Sequence, residues 1–81
     1  MTNMTIRERK LLLTLQERAG QWVSRGELLR LVWNYPPHLR TRTVDVHICW
    51  IRQKLGPELR GYLQSAYGRG YTWTGPALTF A

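Results

Sequence analysis

Apolar residues recur along this chain in three helix-like stretches and then shift to near-alternation toward its end. In the first stretch, Leu11, Leu12, Leu15 and Ala19 fall on one stripe at the 3, 4, 7 spacing of a buried helix face, with Leu13 off it. Thr5-Ile-Arg-Glu8 ahead of it has the form of a capping box, in which the hydroxyl takes an amide three residues on and the carboxylate reaches back. Gly20 is expected to end this helix as a left-handed cap. The short β-prone run Gln21-Trp22-Val23 is followed by a second box, Ser24-Arg-Gly-Glu27, and by Leu28, Leu29 and Val32 on an inward stripe that ends near Trp33. Asn34-Tyr35-Pro36-Pro37-His38-Leu39 then reads as a stiff loop, because Pro37 restricts Pro36 and neither has an N–H to give a helix.

The third stretch is RTRTVDVHICWIRQKL, residues 40–55, with Thr41 as its expected cap. At about 100° per residue, Val44, Ile48, Ile51 and Leu55 form a narrow core stripe. The opposite side carries Arg42, Thr43, Val46, Cys49, Trp50 and Gln53, so a face that should meet water holds a tryptophan. Gly56-Pro57 stops this helix, and Glu58 to Gly61 reads as a short turn. Tyr62 to Ala66 and Tyr71 to Thr74 are expected strands joined by Tyr67-Gly68-Arg69-Gly70, which makes a β-hairpin. The predicted organisation is one domain over residues 1–75 and a tail, residues 76–81, that is either loose or docked through Leu78 and Phe80.

Composition narrows the function. At 81 residues with 43% hydrophobic and 11% aromatic content, the chain is a folded domain with a modest core. Its apolar runs are too short to span a membrane, and the N-terminal stretch lacks the apolar segment of a secretory signal. A single cysteine forms no internal disulfide, which fits a reducing cytoplasm. Twelve Lys and Arg against five Asp and Glu give a net charge of +7, and Arg outnumbers Lys ten to two. Arg is the better fork for phosphate oxygens and guanine edges, so the expected partner is nucleic acid rather than a membrane.

The element order (helix, short strand, helix, loop, helix, hairpin) defines an α+β winged helix-turn-helix, three helices with a C-terminal hairpin as the wing. The DNA major groove admits one α-helix, whose exposed side chains then meet base edges. Ser24-Arg25, Glu27-Leu28-Leu29, Val32-Trp33, the run Arg42-Thr-Val-Asp-Val-His-Ile48, Arg52-Gln-Lys-Leu55 and Gly68-x-Gly-Tyr71 resemble the C-terminal DNA-binding domain of OmpR/PhoB-type response regulators over roughly residues 4–74. The resemblance implies a transcriptional regulator of double-stranded DNA, working in the cytoplasm at the nucleoid, often as a head-to-tail pair on direct repeats. It implies phosphate contacts for Arg25, Arg42, His47 and Arg52, and base-facing positions for Thr43, Asp45 and Val46. It also implies a wing arginine in the minor groove, here Arg69, and a loop 34–39 that meets RNA polymerase.

Three departures stand out against the family pattern. Cys49 and Trp50 replace two mid-helix arginines, and both are retained as DNA-facing candidates. Tyr67 holds the usual place of the wing arginine, two residues before Arg69. The chain is expected to be a stand-alone effector domain without a receiver domain and with a truncated N-terminal sheet, so that the tail or a second copy covers the first helix.

Several residues have competing roles. His47 is either a packed histidine or a phosphate ligand, and Arg42, Arg52 and Lys54 either contact DNA or line a solvated face. Trp50 either tucks under the wing or the Pro-Pro loop, packs in a DNA groove, or anchors a protein partner. Tyr62, Tyr67, Tyr71 and Trp73 read as wing packing before a base-stacking platform. The spacing of His47 and Cys49 excludes a zinc pair, and no cofactor motif, carboxylate pair or nucleophile motif points to an enzyme. The rival to a DNA-binding regulator is a winged-helix adaptor for the transcription apparatus, of a kind suited to a phage or mobile element. Its candidate contacts are Trp50, Tyr35, Pro36, Pro37 and His38.

Overall fold

The computed structural model describes residues 3–79. Three α-helices, α1 (Ile6–Glu17), α2 (Arg25–Trp33) and α3 (Thr43–Leu55), precede a 3-10 turn (Arg60–Tyr62) and the hairpin β1 (Leu63–Ala66) and β2 (Gly70–Trp73).

The first capping box forms in full: Thr5 Oγ1 accepts from the Glu8 amide at 3.2 Å, and Glu8 Oε1 accepts from the Thr5 amide at 2.7 Å. Leu11, Leu12 and Leu15 are completely buried, whereas Leu13 is half-exposed as its place off the stripe requires. Ala19 departs from expectation. The helix ends at Glu17 with Arg18 as its cap, so Ala19 lies beyond it and is exposed. Gly20 does take a positive φ of 79°, in the turn that follows, and donates its amide to the Trp73 carbonyl at 3.0 Å.

Only half of the second box forms. Ser24 Oγ accepts from the Glu27 amide, but the Glu27 carboxylate turns to Arg30 in a two-pronged pair at 3.0 Å. Asn34 in the left-handed region closes α2. Helix α3 opens at Thr43 with Arg42, not Thr41, in the cap position and no side-chain cap bond. Thr41 Oγ1 instead accepts from the Thr43 amide at 3.2 Å, one step short of the usual capping reach.

The hairpin is antiparallel, pairing Leu63 with Trp73 and Ala66 with Gly70. The Gln21-Trp22-Val23 run contributes one bridge, Val23 with Tyr71, closed by two bonds of 2.8 and 2.9 Å. Gly70 is required there: a Cβ would lie 2.0 Å from the Val23 carbonyl oxygen.

The three predicted stripes and the wing base share one core. Val44, Ile48, Ile51 and Leu55 of α3 are buried with Leu28 and Val32 of α2, Leu63 and Trp73. Each such large side chain contributes about 1.5–3 kcal/mol on burial. A polar link crosses it: Lys54 Nζ meets the fully buried Glu8 Oε1 at 2.6 Å, tying the end of α3 to the start of α1. Burial pushes the Glu8 carboxyl up, but the Lys54 hydrogen bond, the Thr5 amide and the Lys54 charge outweigh it and hold the group below the usual carboxylate range.

Of the segment expected to be loose or docked, the described residues 76–79 are docked. Trp73 Nε1 donates to the Pro76 carbonyl at 3.0 Å, the Leu78 amide donates to Gln16 Oε1 at 2.6 Å, and the Leu78 side chain packs against the core. The expectation for Phe80 lies outside the described residues.

Candidate nucleic-acid interface

With its core stripe buried, α3 turns Val46, Cys49, Trp50 and Gln53 outward, with Thr43 half-buried at its start. Asp45, expected to face bases, is half-buried and bonded to neighbouring elements of the protein. Its Oδ1 accepts from Arg25 Nε at 2.9 Å and from the Tyr71 hydroxyl. One carboxylate thus joins the starts of α2 and α3 to the wing strand β2. The Asp45 charge raises the Arg25 pKa further above its already high value. Burial, with the Asp45 hydrogen bond and charge added, raises the Tyr71 phenol and keeps it a donor.

Arg52, expected at a phosphate, makes bonds within the protein. Its Nε and one terminal nitrogen both donate to the Leu63 carbonyl, at 3.1 and 2.8 Å, and its guanidinium lies 5.9 Å from the centre of the Tyr71 ring. The residue clamps α3 to β1. Lys54 is committed to Glu8, as described above.

His47 is half-buried, with Nδ1 2.8 Å from the Thr43 carbonyl. Its ring stands edge-on to Trp33 at 4.9 Å and tilted against Trp50 at 5.0 Å. Trp50 therefore rests on its own helix neighbour and still exposes 44% of its surface. Cys49 is exposed beside Gln53.

Arg25, Arg40, Arg42 and Arg69 are all exposed around this face. Two grooves meet at Arg25. One runs past Gly26, Pro37, Arg40 and Arg42, and the other passes Ser24, Ser65, Tyr67 and Arg69 along the wing. The Pro-Pro loop presses on the first turn of α2 so closely that a Cβ on Gly26 would sit 2.6 Å from the Pro37 oxygen. Tyr35, Pro36 and His38 are exposed beyond it. At the wing tip, Arg69 is drawn back over the Trp22 ring at 5.6 Å, while Tyr67 is fully exposed. The sequence reading named no role for Arg40, which lies in the same basic stretch as Arg42, and took Tyr67 as wing packing before a base-stacking platform; its flanking Gly68 and Arg69 were the available sign of a projecting tip.

Three helices with a packed two-stranded wing define a winged helix-turn-helix domain. Residues 1–73 match the family described as "Transcriptional regulatory protein, C terminal", and the chain belongs to this family of OmpR/PhoB-type DNA-binding domains. It is 41% identical over 70 residues to the DNA-binding dual master transcriptional regulator RpaA of Synechocystis, a match covering 84% of this chain and 29% of that protein. The DNA-binding domain of CpxR from E. coli superposes with a TM-score of 0.78 at 29% identity, over 94% of this chain and 76% of the other. That of the response regulator AdeR, crystallised in complex with an intercistronic region, does so at 0.73 and 30% identity, over 91% and 74%. The chain spans about 30% of the length of the curated relatives it matches.

Proposed function

We propose that this chain binds double-stranded DNA with sequence preference and serves as the DNA-reading part of a transcriptional regulator in the cytoplasm, at the nucleoid. Helix α3 enters the major groove, presenting Thr43, Val46, Cys49, Trp50 and Gln53 to base edges. Arg25, Arg40, Arg42 and Arg69 hold phosphates on either side of it. The observation that carries this reading is the capture of Asp45. The acidic residue at the start of α3 is offset by Arg25, which leaves the outward surface of the helix without a bare negative charge and Arg40, Arg42 and Arg69 as the cations around it. The AdeR domain, similar in fold and sequence, has been crystallised on DNA. The family resemblance extends the proposal to a head-to-tail pair on direct repeats, and to contact between the loop 34–39 and RNA polymerase.

A second reading, a protein-binding adaptor, is favoured by the exposure of Trp50, since exposed tryptophan is a frequent interface anchor. Selection of duplexes from a random pool, followed by binding of the winners at two salt concentrations, separates the two. A recovered motif supports the regulator, and direct repeats in it support the pair. Weak, steeply salt-dependent binding without a motif would overturn sequence reading and favour the adaptor.

A further inference from the structure

We propose that the outward face of α1 is a self-association surface, on which a second copy of this chain packs antiparallel about a two-fold axis at Leu13. The contact is independent of the DNA-binding reading.

At about 100° per residue, Ile6, Arg9, Lys10, Leu13 and Glu17 lie within roughly a third of the circumference of α1, opposite the buried Leu11, Leu12 and Leu15. Together with Thr14 they line an open groove along the helix. Two apolar side chains stand in solvent on this face, Ile6 at 82% exposure and Leu13 at 43%. The described part of the tail does not cover them. Its Leu78 amide bonds to Gln16 on the flank of the helix, and the Leu78 side chain turns to the core.

The charges of the face identify its partner. Glu8, Glu27 and Asp45 are each held by a cation of their own chain, whereas Arg9, Lys10 and Glu17 make no ion pair among the described residues. Along the helix their order is basic, apolar, acidic: Arg9 and Lys10 stand about one turn before Leu13, and Glu17 about one turn after it. A two-fold axis at Leu13 reverses the second helix. It sets Lys10 of each copy nearly level with Glu17 of the other and brings the two Leu13 side chains together. Two opposite-charge contacts then flank an apolar centre. A parallel arrangement in register would set like charges side by side instead. The face is complementary to itself, which is the condition for a closed isologous contact. A head-to-tail pair differs, because two different patches meet in it. Helix α1 has 12 residues and is about 18 Å long, so the area it can bury lies at the small end of specific interfaces, and the pair exchanges with monomer.

The test is sedimentation of the whole chain without DNA, from micromolar to millimolar concentration. The mass should rise from 9.5 kDa toward twice that value. Leu13→Asp should stay monomeric throughout. Lys10→Glu and Glu17→Lys should each weaken pairing by about tenfold, since two exposed attractions become repulsions. An equimolar mixture of these two variants should pair again, as should the double variant Lys10→Glu/Glu17→Lys, because both restore opposite charges across the axis. Lys10, Leu13 and Glu17 are exposed, so all the variants should keep the melting temperature of the dilute wild type. A wild-type chain that stays monomeric, single reversals that leave pairing unchanged, or a mixture that fails to pair would overturn the proposal. So would pairing that is lost in Trp50→Ala and kept in Leu13→Asp, which would move the contact to α3.

Discussion

Lys54 marks the sharpest divide between an outward and an inward reading of α3, and Lys54→Met tests it. In the wild type, Glu8 Oε1 accepts from both Lys54 Nζ and the Thr5 amide, while Oε2 has no protein partner among the described residues. Removing the ammonium leaves a fully buried carboxylate held by one amide. Breaking a buried pair from one side costs about 3–5 kcal/mol, but the Lys54 side chain is 33% exposed, so a discounted loss of about 2 kcal/mol is expected. For a domain of this size, each kcal/mol moves Tm by roughly 4–8 °C, so thermal unfolding at neutral pH should fall by roughly 8–16 °C. The pH dependence has a fixed sign. The folded Glu8 carboxyl sits below its unfolded value, so the pair's contribution is present above the ordinary carboxylate range and is lost as pH falls through the folded value. The deficit of Lys54→Met should therefore shrink on acidification, and the double variant Glu8→Gln/Lys54→Met should melt above Lys54→Met alone. Because Lys54 is committed inward, the salt slope of DNA binding should not change. Calorimetric melting across pH and DNA titration across salt check both halves. Unchanged Tm together with a slope reduced by about one would refute the reasoning and return Lys54 to the DNA face.

The other charged residues near α3 sort in the same way. Arg42→Ala removes an exposed rim charge that makes no hydrogen bond or ion pair among the described residues, so it should weaken binding to all duplexes and flatten the salt slope by about one, with Tm unchanged. Arg52→Gln should do the reverse, lowering Tm through loss of the two bonds to Leu63, worth about 1.5–3 kcal/mol for a charged donor, and leaving the salt slope unchanged. Val46→Ala should shift which motif is selected more than it lowers overall affinity; a uniform loss across sequences would remove Val46 from base reading. Tyr71→Phe tests the clamp on Asp45. The Tyr71 phenol is raised in the folded state, so its contribution is full below its unfolded value near pH 10 and lost as pH rises through the folded value. Alkaline melting of Tyr71→Phe should accordingly be the less steep of the two.

The parts of the fold that follow from periodicity were legible because each depends on a few neighbouring residues. The stripe Val44, Ile48, Ile51, Leu55 is buried throughout, and Leu13 is exposed where the same arithmetic leaves it off the face. Ala19 shows the limit of that arithmetic, since a small residue in register with a stripe is not buried once the helix has ended two residues earlier. The half-formed box at Ser24 shows another. The motif pairs Glu27 with the cap, but Arg30, one turn on, offers a stronger partner than a neutral amide. What sequence could not supply was the destination of long charged side chains. Arg52 and Lys54 stand near the outward face by angle, yet their stems are long enough to reach around α3, one to the carbonyl of Leu63 and the other to the carboxylate of Glu8. Asp45 is the same case from the acidic side, because its two donors come from 20 and 26 residues away.

These captures change what the exposed tryptophan of α3 means. Asp45, Arg52 and Lys54 all make internal bonds, so the outward face of the helix is left to groups that carry no charge: Thr43, Val46, Cys49, Trp50 and Gln53. Without a cation at the centre of that surface, a forked contact to guanine is not on offer there, and the face contributes through shape, methyl contacts and directed hydrogen bonds. In the proposed DNA-binding reading, the attracting charge lies at the rim, on Arg40, Arg42 and Arg69, with the charge of Arg25 offset by its pair with Asp45. That reading assigns affinity and selectivity to different residues. Trp50 leans on His47, which in turn meets Trp33. A large ring supported on one side offers a partner shape and apolar area that a mismatched surface cannot cover, so Trp50 fits a role in discrimination, not in bulk attraction.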